Sequence, residues 1–515
     1  MKYKNILFVS LIVLLAGCSD EWLNDIDPQG KLLEVNYYET EEEIKNGLIA
    51  VYSMYKNQYW QGEWSSWYIA ASIPSDDAVA HGGGRGDRPE IWEIDDYLVS
   101  PITLGIESLW DRSYFGAYRA NVIITRVDPD AREINRTFIA EARMLRALFY
   151  FDLVRFFGEA PLIDKTLAPE EYDQSKNTKQ ELFEFIVEDL KKAAADLPVS
   201  WTGEDKYRMT KYAAHGLLGK VYTYMASPFY NLGSEYYDSA AVQLKLVIDE
   251  GPYSLLPNYD DIWWWENEFN EETLIEMSYG FDGEGEYWDN GAEAQGNVIQ
   301  QLVGVRGVSW TAGSLGADTL STGWGFDMIT QDLVDAYREQ GDSVRLHATA
   351  LAEWQMIDWG LVSIEKNEAY TGYYTKKRAP WKGLIQDGSV WGWANNERIL
   401  RLGDIYLLYA EVLSQTGQDA AAIENADMVR TRAGLGSIAD LMSDKGISLY
   451  EAIKIERRLE LGQEAQRFFD LVRWGDAGDV LGPLGFVENK HEHYPIPQTE
   501  IDDSNGALLQ NPNYQ

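Results

Sequence analysis

The stretch from Phe138 to Gly158, "FIAEARMLRALFYFDLVRFFG", restricts the fold more than any other part of the chain. Phe138, Ala142, Leu145, Phe149, Leu153 and Phe156 recur at three- and four-residue steps, the spacing that lines one face of an α-helix. Gly158 follows where a helix terminator belongs. A stripe that long has to be covered by other helices, so a mainly α protein is expected. Three further segments open with a capping box: Thr40 with Glu43, Thr178 with Glu181, and Ser448 with Glu451. The second stops at Pro198. The third carries a stripe through Ala452, Ile455, Leu459, Gly462, Phe469 and Val472, which reads as one helical run.

Two regions read as helix pairs. In the first, Gly219 and Tyr222 fall on one helix, Ala240 on the next, and Pro252 closes the unit. This spacing is similar to a tetratricopeptide repeat, in which small residues let paired helices approach closely. The second covers 399–435. Other stretches are irregular. Residues 280–325 contain eleven glycines together with Trp288, Trp310 and Trp324, and residues 72–92 are also glycine-rich. Long loops of this kind in a compact protein are uncommon and are often functional.

A net charge of −39, from 83 acidic and 44 basic side chains, would repel a phosphate backbone, which excludes nucleic acid as a partner. A neutral ligand is easier to accommodate. One cysteine in 515 residues leaves no intrachain disulfide, and five histidines make a His-rich metal centre improbable. The cysteine, Cys18, ends the run "LLAGC". Before it stand Lys2, Lys4 and an apolar core over 6–16, too short to span a bilayer. The register resembles a bacterial lipobox, implying that residues 1–17 are a leader and that Cys18 carries outer-membrane lipid. The following Ser19-Asp20-Glu21 resembles a surface-export signal of Bacteroidetes lipoproteins, so a lipid-anchored, surface-exposed protein is expected.

Four blocks together resemble the SusD/RagB family. They are "EARMLRALFYFDLVRFFGEAPLI" (with Arg146, Tyr150, Arg155, Gly158, Pro161 and Leu162), "RLGDIYLLYAEVL", "IKIERRLELGQEAQRFFDLVRWGDA" and the tail "YPIPQTEIDDSNGALLQNPNY". Two departures stand out: Gly403 occupies a position where alanine is frequent, and Asn513 one where glycine is. The resemblance implies a mainly α SusD-like fold of tetratricopeptide-like helix pairs across 18–515, with inserted ligand-binding loops around 58–105 and 280–400. It also implies an oligosaccharide ligand, or a peptide in some relatives. The expected partner is a SusC-like TonB-dependent outer-membrane barrel over which the lipoprotein sits.

Ligand contacts are expected from the loop tryptophans. Trp60, Trp64 and Trp67 repeat at core-like spacing, but Gly62 and Ser65-Ser66 make a poor helix of them; Trp92, Trp288, Trp310 and Trp324 lie in glycine-rich loops. An indole accepts the apolar C–H face of a pyranose, whose hydroxyls then need polar partners. Asp76, Asp77, Arg85 and Asp87 are candidates. Trp263–Trp265 are read as packing, and the arginines of "ERRLEL" as ties between helices. No cofactor is expected: the loop carboxylates suit calcium chemically, but their spacing is not that of an EF-hand. The rival readings are a glycoside hydrolase, which needs a pair of suitably spaced carboxylates, and a peptide-binding scaffold.

Overall fold

A computed structural model describes residues 37–58, 66–280, 296–385 and 393–514. Cys18, Trp60, Trp64 and Trp288 lie outside these residues. The principal helices are α1 (Glu41–Gln58), α2 (Trp67–Ser72), α3 (Pro89–Asp95), α4 (Ile106–Arg126), α5 (Glu133–Phe157), α6 (Lys179–Asp196), α7 (Lys211–Ala226), α8 (Glu235–Glu250), α9 (Gln331–Glu339), α10 (Ser343–Thr349), α11 (Leu402–Gln415), α12 (Asp419–Arg432), α13 (Ile438–Lys445), α14 (Leu449–Glu460) and α15 (Arg467–Trp474). The strands are β1 (Ala78–Ala80), β2 (Thr273–Met277), β3 (Ser309–Trp310), β4 (Asp327–Ile329), β5 (Ala350–Ala352), β6 (Leu361–Ser363), β7 (Tyr373–Thr375) and β8 (Glu397–Arg401).

The helices form the scaffold. Successive members pack side by side from α4 to α8, then α8 meets α11, and α11 meets α12 and α14. The apolar stripe of α5 is buried throughout. Close approach is built in with glycine: a Cβ on Gly116 of α4 would overlap the Phe149 ring of α5, and one on Gly219 of α7 would sit 2.6 Å from Leu244 of α8. The capping boxes form as expected at two sites. Glu43 N–H donates to Thr40 Oγ1 (3.2 Å) while Glu43 Oε2 accepts from Thr40 N–H (2.9 Å). Thr178 and Glu181 repeat the exchange.

The third apolar run is two helices rather than one. It breaks between α14 and α15, where Gln463 (φ 62°) and Ala465 (φ 56°) adopt left-handed backbone. Buried polar bonds force the break. Glu464 is drawn to Arg401 Nη2 (2.8 Å) and Lys377 Nζ (2.8 Å), and Gln463 Nε2 donates to the carbonyl of Asp77 (3.2 Å).

The arginines of this region do tie elements together, in a buried ion-pair network centred on Glu460. Its carboxylate pairs with Arg401 of β8, Arg432 of α12 and Arg345 of α10. Arg401 also reaches Glu272 (3.0 Å) beside β2, and Arg345 reaches Glu456 (2.6 Å). Beyond it, Arg457 holds Asp404 (2.8 Å) and Asp470 (3.1 Å), with Lys220 of α7 closing on Asp404 (2.9 Å). Gly403 makes room: a Cβ there would run into Arg401 and stand 2.7 Å from Glu460 Oε1. Asn513 takes a left-handed φ of 66°, which asparagine tolerates.

The strands are short, and all but β2 and β8 fall within 78–80 and 309–375. β1, β4, β7 and β5 make a four-stranded sheet in that order, β3 pairs with β6, and β2 pairs with β8. All pairings are antiparallel. The pairing of Ala78 with Ile329 and Ala80 with Asp327 brings the first irregular loop against the second.

Removing one partner from the Glu460 hub leaves a buried charge uncompensated, which typically costs about 3–5 kcal/mol. Arg401→Met is therefore expected to lower the unfolding midpoint in urea by a corresponding amount, and Gly403→Val to do so through steric displacement of the same pair. Burial raises the carboxyl of Glu460, but Arg432, Arg401 and Arg345 together hold it at about 2. With an unfolded value of about 4.3, its contribution is complete above that pH and disappears as pH falls toward 2. Urea titrations at pH 7, 4 and 2.5 are expected to show this loss, and Glu460→Gln to flatten it.

Candidate functional site

The edge strand β1 leads into a glycine-rich turn, residues 81–88, between β1 and α3. Gly82 N–H donates to Gly325 O (2.8 Å) and His81 Nδ1 lies 3.2 Å from the same carbonyl, so the turn is fastened to the loop that bears Trp324. Gly82 takes φ 59°, and a side chain there would strike Phe326. Asn367 Nδ2 reaches the carbonyls of His81 and Gly82 (both 3.2 Å) from the loop before β7.

Four loops converge on Arg306. Its Nη1 is 3.1 Å from Asp87 Oδ2, its Nε is 3.1 Å from Glu365 Oε1, and Nη1 also donates to the carbonyl of Trp324 (3.2 Å). Asp87 is itself oriented by Gly83 N–H (2.9 Å). The side chains of Asp87 and Glu365 remain 36% and 48% exposed, so both present oxygen to solvent. Trp324 is half-buried, its ring 6.4 Å from Phe326.

Arg85 and Trp92 form a second unit. The guanidinium of Arg85 lies 4.6 Å above the Trp92 ring and pairs with Asp96. The indole N–H of Trp92 donates to Gly84 O (3.1 Å). Trp92 is buried, whereas the Arg85 side chain is 58% exposed: the cation covers the ring. Hydrogen bonding to Asp96 raises the Arg85 guanidinium above its ordinary value. Beneath the turn, burial pushes the Asp95 carboxyl up to about 7, against the backbone N–H of Ala80, which lowers it. Desolvation lowers the His81 imidazole, which keeps it neutral at physiological pH.

Several expected contacts are corrected. Trp67 is a core residue, 2% exposed, between Phe156 (6.0 Å) and Phe469 (6.1 Å). Asp77 is buried and accepts from Arg458 Nε (2.7 Å), and Asp76 takes a two-pronged grip from Arg467 (2.7 and 2.8 Å). These carboxylates weld the base of the loop to α14 and α15 through arginine pairs. Trp310 is half-buried on β3, against Gly316, with its indole N–H buried and without a protein partner. It belongs to the insert but not to the Arg306 cluster. Of Trp263–Trp265, Trp263 is buried; Trp264 lies 5.7 Å from Trp381 and 5.1 Å from Trp265, a packed set as expected.

The structure therefore brings together Arg85, Asp87, Trp92 and Trp324, and adds Arg306, Glu365, Asn367 and Asp96. The additions carry no local sequence signal beyond an arginine between two glycines, because their partners are up to 286 residues away. Among the described residues no group of three or more His, Cys, Asp or Glu side chains is placed to hold a metal, and no helix is long and apolar enough to cross a membrane.

Comparison with known proteins gives two family matches, the SusD family over residues 271–485 and "starch-binding associating with outer membrane" over 24–223. A SusD-like protein of Formosa agariphila, P25, is 24% identical across 99% of this chain and 98% of its own length. Among solved structures, a laminarin binding SusD-like protein is 32% identical, with TM-score 0.82 over 93% of this chain and all of that one. Surface glycan-binding protein A from Bacteroides fluxus is 26% identical, with TM-score 0.79 over 92% of this chain and all of that one. With the helical scaffold, the welded loops and these matches in agreement over nearly the whole length, the chain belongs to the SusD family.

Proposed function

We propose that this protein is a cell-surface glycan-binding lipoprotein that captures an oligosaccharide and passes it, uncleaved, to a SusC-like TonB-dependent outer-membrane barrel. The observation that carries the binding reading is the Arg306 cluster. Exposed carboxylates, an amide and a guanidinium converge there beside a half-buried indole, on loops fixed to a helical scaffold. The solved relative at 32% identity is named for laminarin binding, which supports a neutral glucan as the ligand class. A neutral polymer also suits a chain of net charge −39.

The chemistry is stacking plus hydrogen bonding. The apolar face of a pyranose meets Trp324, while its hydroxyls donate to Asp87 and Glu365, which Arg306 holds in place. Arg85 acts as a movable cover. Swinging its guanidinium off Trp92 exposes an indole face to which a second sugar ring can bind in exchange for the cation. Trp60, Trp64 and Trp288 remain proposed contacts from segments outside the described residues. Cys18 is the proposed lipid attachment site, holding the protein at the outer membrane, an association also named in the family description.

Calorimetry with laminarin oligosaccharides is the direct test. Trp324→Ala is expected to weaken binding by roughly tenfold or more, the worth of one aromatic contact. Asp87→Ala should cost somewhat less, and no reducing ends should be released on prolonged incubation. Absence of binding to any neutral glucan, or turnover at a catalytic rate, overturns the proposal. Cys18→Ala is expected to move the protein from the membrane to the soluble fraction; unchanged retention removes the anchor.

The site has a pH dependence of definite sign. Because Asp95 titrates near 7 when folded and about 3.9 when unfolded, its contribution to stability is full below about 4 and is lost as pH rises through 7. Hydrogen exchange in the 81–88 turn is expected to quicken between pH 5 and pH 8 beyond the intrinsic rate, and Asp95→Asn to remove that excess.

A further inference from the structure

Four tryptophans outside the Arg306 cluster stand in a row. Ring centre to ring centre, Trp265 lies 5.1 Å from Trp264, Trp264 lies 5.7 Å from Trp381, and Trp381 lies 6.3 Å from Trp359. Three separate parts of the chain supply them. Trp264 and Trp265 open the single turn Trp265–Asn267, Trp381 precedes the turn Lys382–Leu384, and Trp359 ends the short helix Glu353–Asp358. The backbone makes room for the row: a Cβ on Gly383 would stand 2.8 Å from the Trp265 ring. A bridge to Leu320 holds the backbone of Trp381.

Packing against one another accounts for only part of each ring. All four residues are half-buried, and none of their indole N–H groups is enclosed. Among the described residues no group accepts from these four donors. Trp201 and Trp474 differ, since their N–H groups donate to Met209 O (2.8 Å) and Glu411 Oε1 (3.2 Å). Exposed charged side chains adjoin the row in sequence: Glu266 follows Trp265, Asp358 precedes Trp359, and Lys382 follows Trp381. Trp359 and Trp381 pack on the small core around Val305, Leu320 and Met356, whereas Trp324 packs on the main helical core.

We infer that this row is a second glycan-contact surface, sharing no residue with the Arg306 cluster. Its chemistry selects the occupant. An indole face takes the C–H face of a pyranose, the open N–H donates to a hydroxyl oxygen, and the adjoining carboxylates accept from further hydroxyls. A lipid surface fits badly, because Glu266 and Asp358 repel anionic headgroups. An apolar protein face would leave the N–H donors unpaired. Successive ring planes are inclined by 65°, 32° and 49°, so the row is not flat. It suits a neutral glycan whose sugars turn from one to the next, and not a straight, ribbon-like one. The inference rests on the glycan reading and extends it to a second place on the molecule.

The test is native mass spectrometry and calorimetry of the full chain with laminarin oligosaccharides, with cello-oligosaccharides of equal length as the ribbon-like comparison. Two laminarin oligosaccharides are expected per chain, one of them retained in Trp324→Ala. Trp265→Ala should weaken that retained site about tenfold, one aromatic contact's worth, and leave the other unchanged. Glu266→Ala, an exposed change that leaves the packing alone, should weaken the same site about three- to tenfold. One oligosaccharide per chain, lost entirely in Trp324→Ala, overturns the inference and leaves the proposed function standing. Absence of any glycan binding overturns both. Equal affinity at the retained site in Trp265→Ala and Glu266→Ala overturns the inference, as does equal binding of the cello-oligosaccharides there. Dimers of the chain that Trp265→Ala disperses overturn it in favour of a second copy as the occupant.

Discussion

The three-way grip of Arg401, Arg432 and Arg345 on Glu460 is the contact on which the rest of the architecture depends. It joins α14 to β8, α12 and α10 at one buried point. Glu272, taken by Arg401 and Arg432, brings in the start of β2. Burying so many charges is costly, and apolar packing of equal volume would often be at least as stable. What charges add is register. A guanidinium fork that must satisfy two carboxylates accepts one placement of each helix, whereas an apolar ridge accepts several. The glycine at 403 keeps the space that this placement requires.

The same helix sets the site. Arg458, two residues from both Glu456 and Glu460, holds Asp77 and Asp332, and Arg467 across the break holds Asp76. The base of the loop at Asp76 and Asp77 is thus fixed to α14 and α15 before the chain enters β1 and the glycine-rich turn. From there, antiparallel pairing of β1 with β4 delivers the turn to the loop of Trp324 and to Arg306. The groups of the candidate site sit on irregular backbone, but the ends of that backbone are anchored to the most rigidly specified part of the molecule. Positional precision in the loops is inherited from the network below them.

The fold was legible where the relevant interaction is short in sequence. The stripe of α5 and the Thr40 and Thr178 boxes depend on residues three or four apart, and they stand as read. The break between α14 and α15 was not legible: "LELGQEAQRFF" keeps a helical pattern, and only Arg401 and Lys377, more than 60 residues away, pull Glu464 out of it. The site divides in the same way. Arg85, Asp87, Trp92 and Trp324 are marked by loop chemistry. Asp76 and Asp77 carry the same mark, yet their partners are arginines 381 or more residues distant. Trp67 shows the other side of the ambiguity: an i, i+4, i+7 spacing is shared by core stripes and aromatic platforms, and here Phe156 and Phe469 close over the ring.

Under the proposed function, the placement of Arg85 above Trp92 sets the affinity. A buried indole covered by a cation is dry and preorganised, but a sugar reaches it only by displacing a cation–π contact and the Asp96 ion pair. On an exposed surface both contacts are weak, so the cover subtracts a modest amount from every ligand alike. Discrimination enters through what replaces it. A pyranose with a continuous apolar face recovers the loss by stacking on the ring, whereas one whose axial hydroxyl points at the indole does not, and an anionic sugar additionally meets Asp96. In that proposed binding mode the cover costs all ligands about the same, while the indole beneath rewards only some of them, an asymmetry by which a small, exposed cluster would select among sugars without enclosing them.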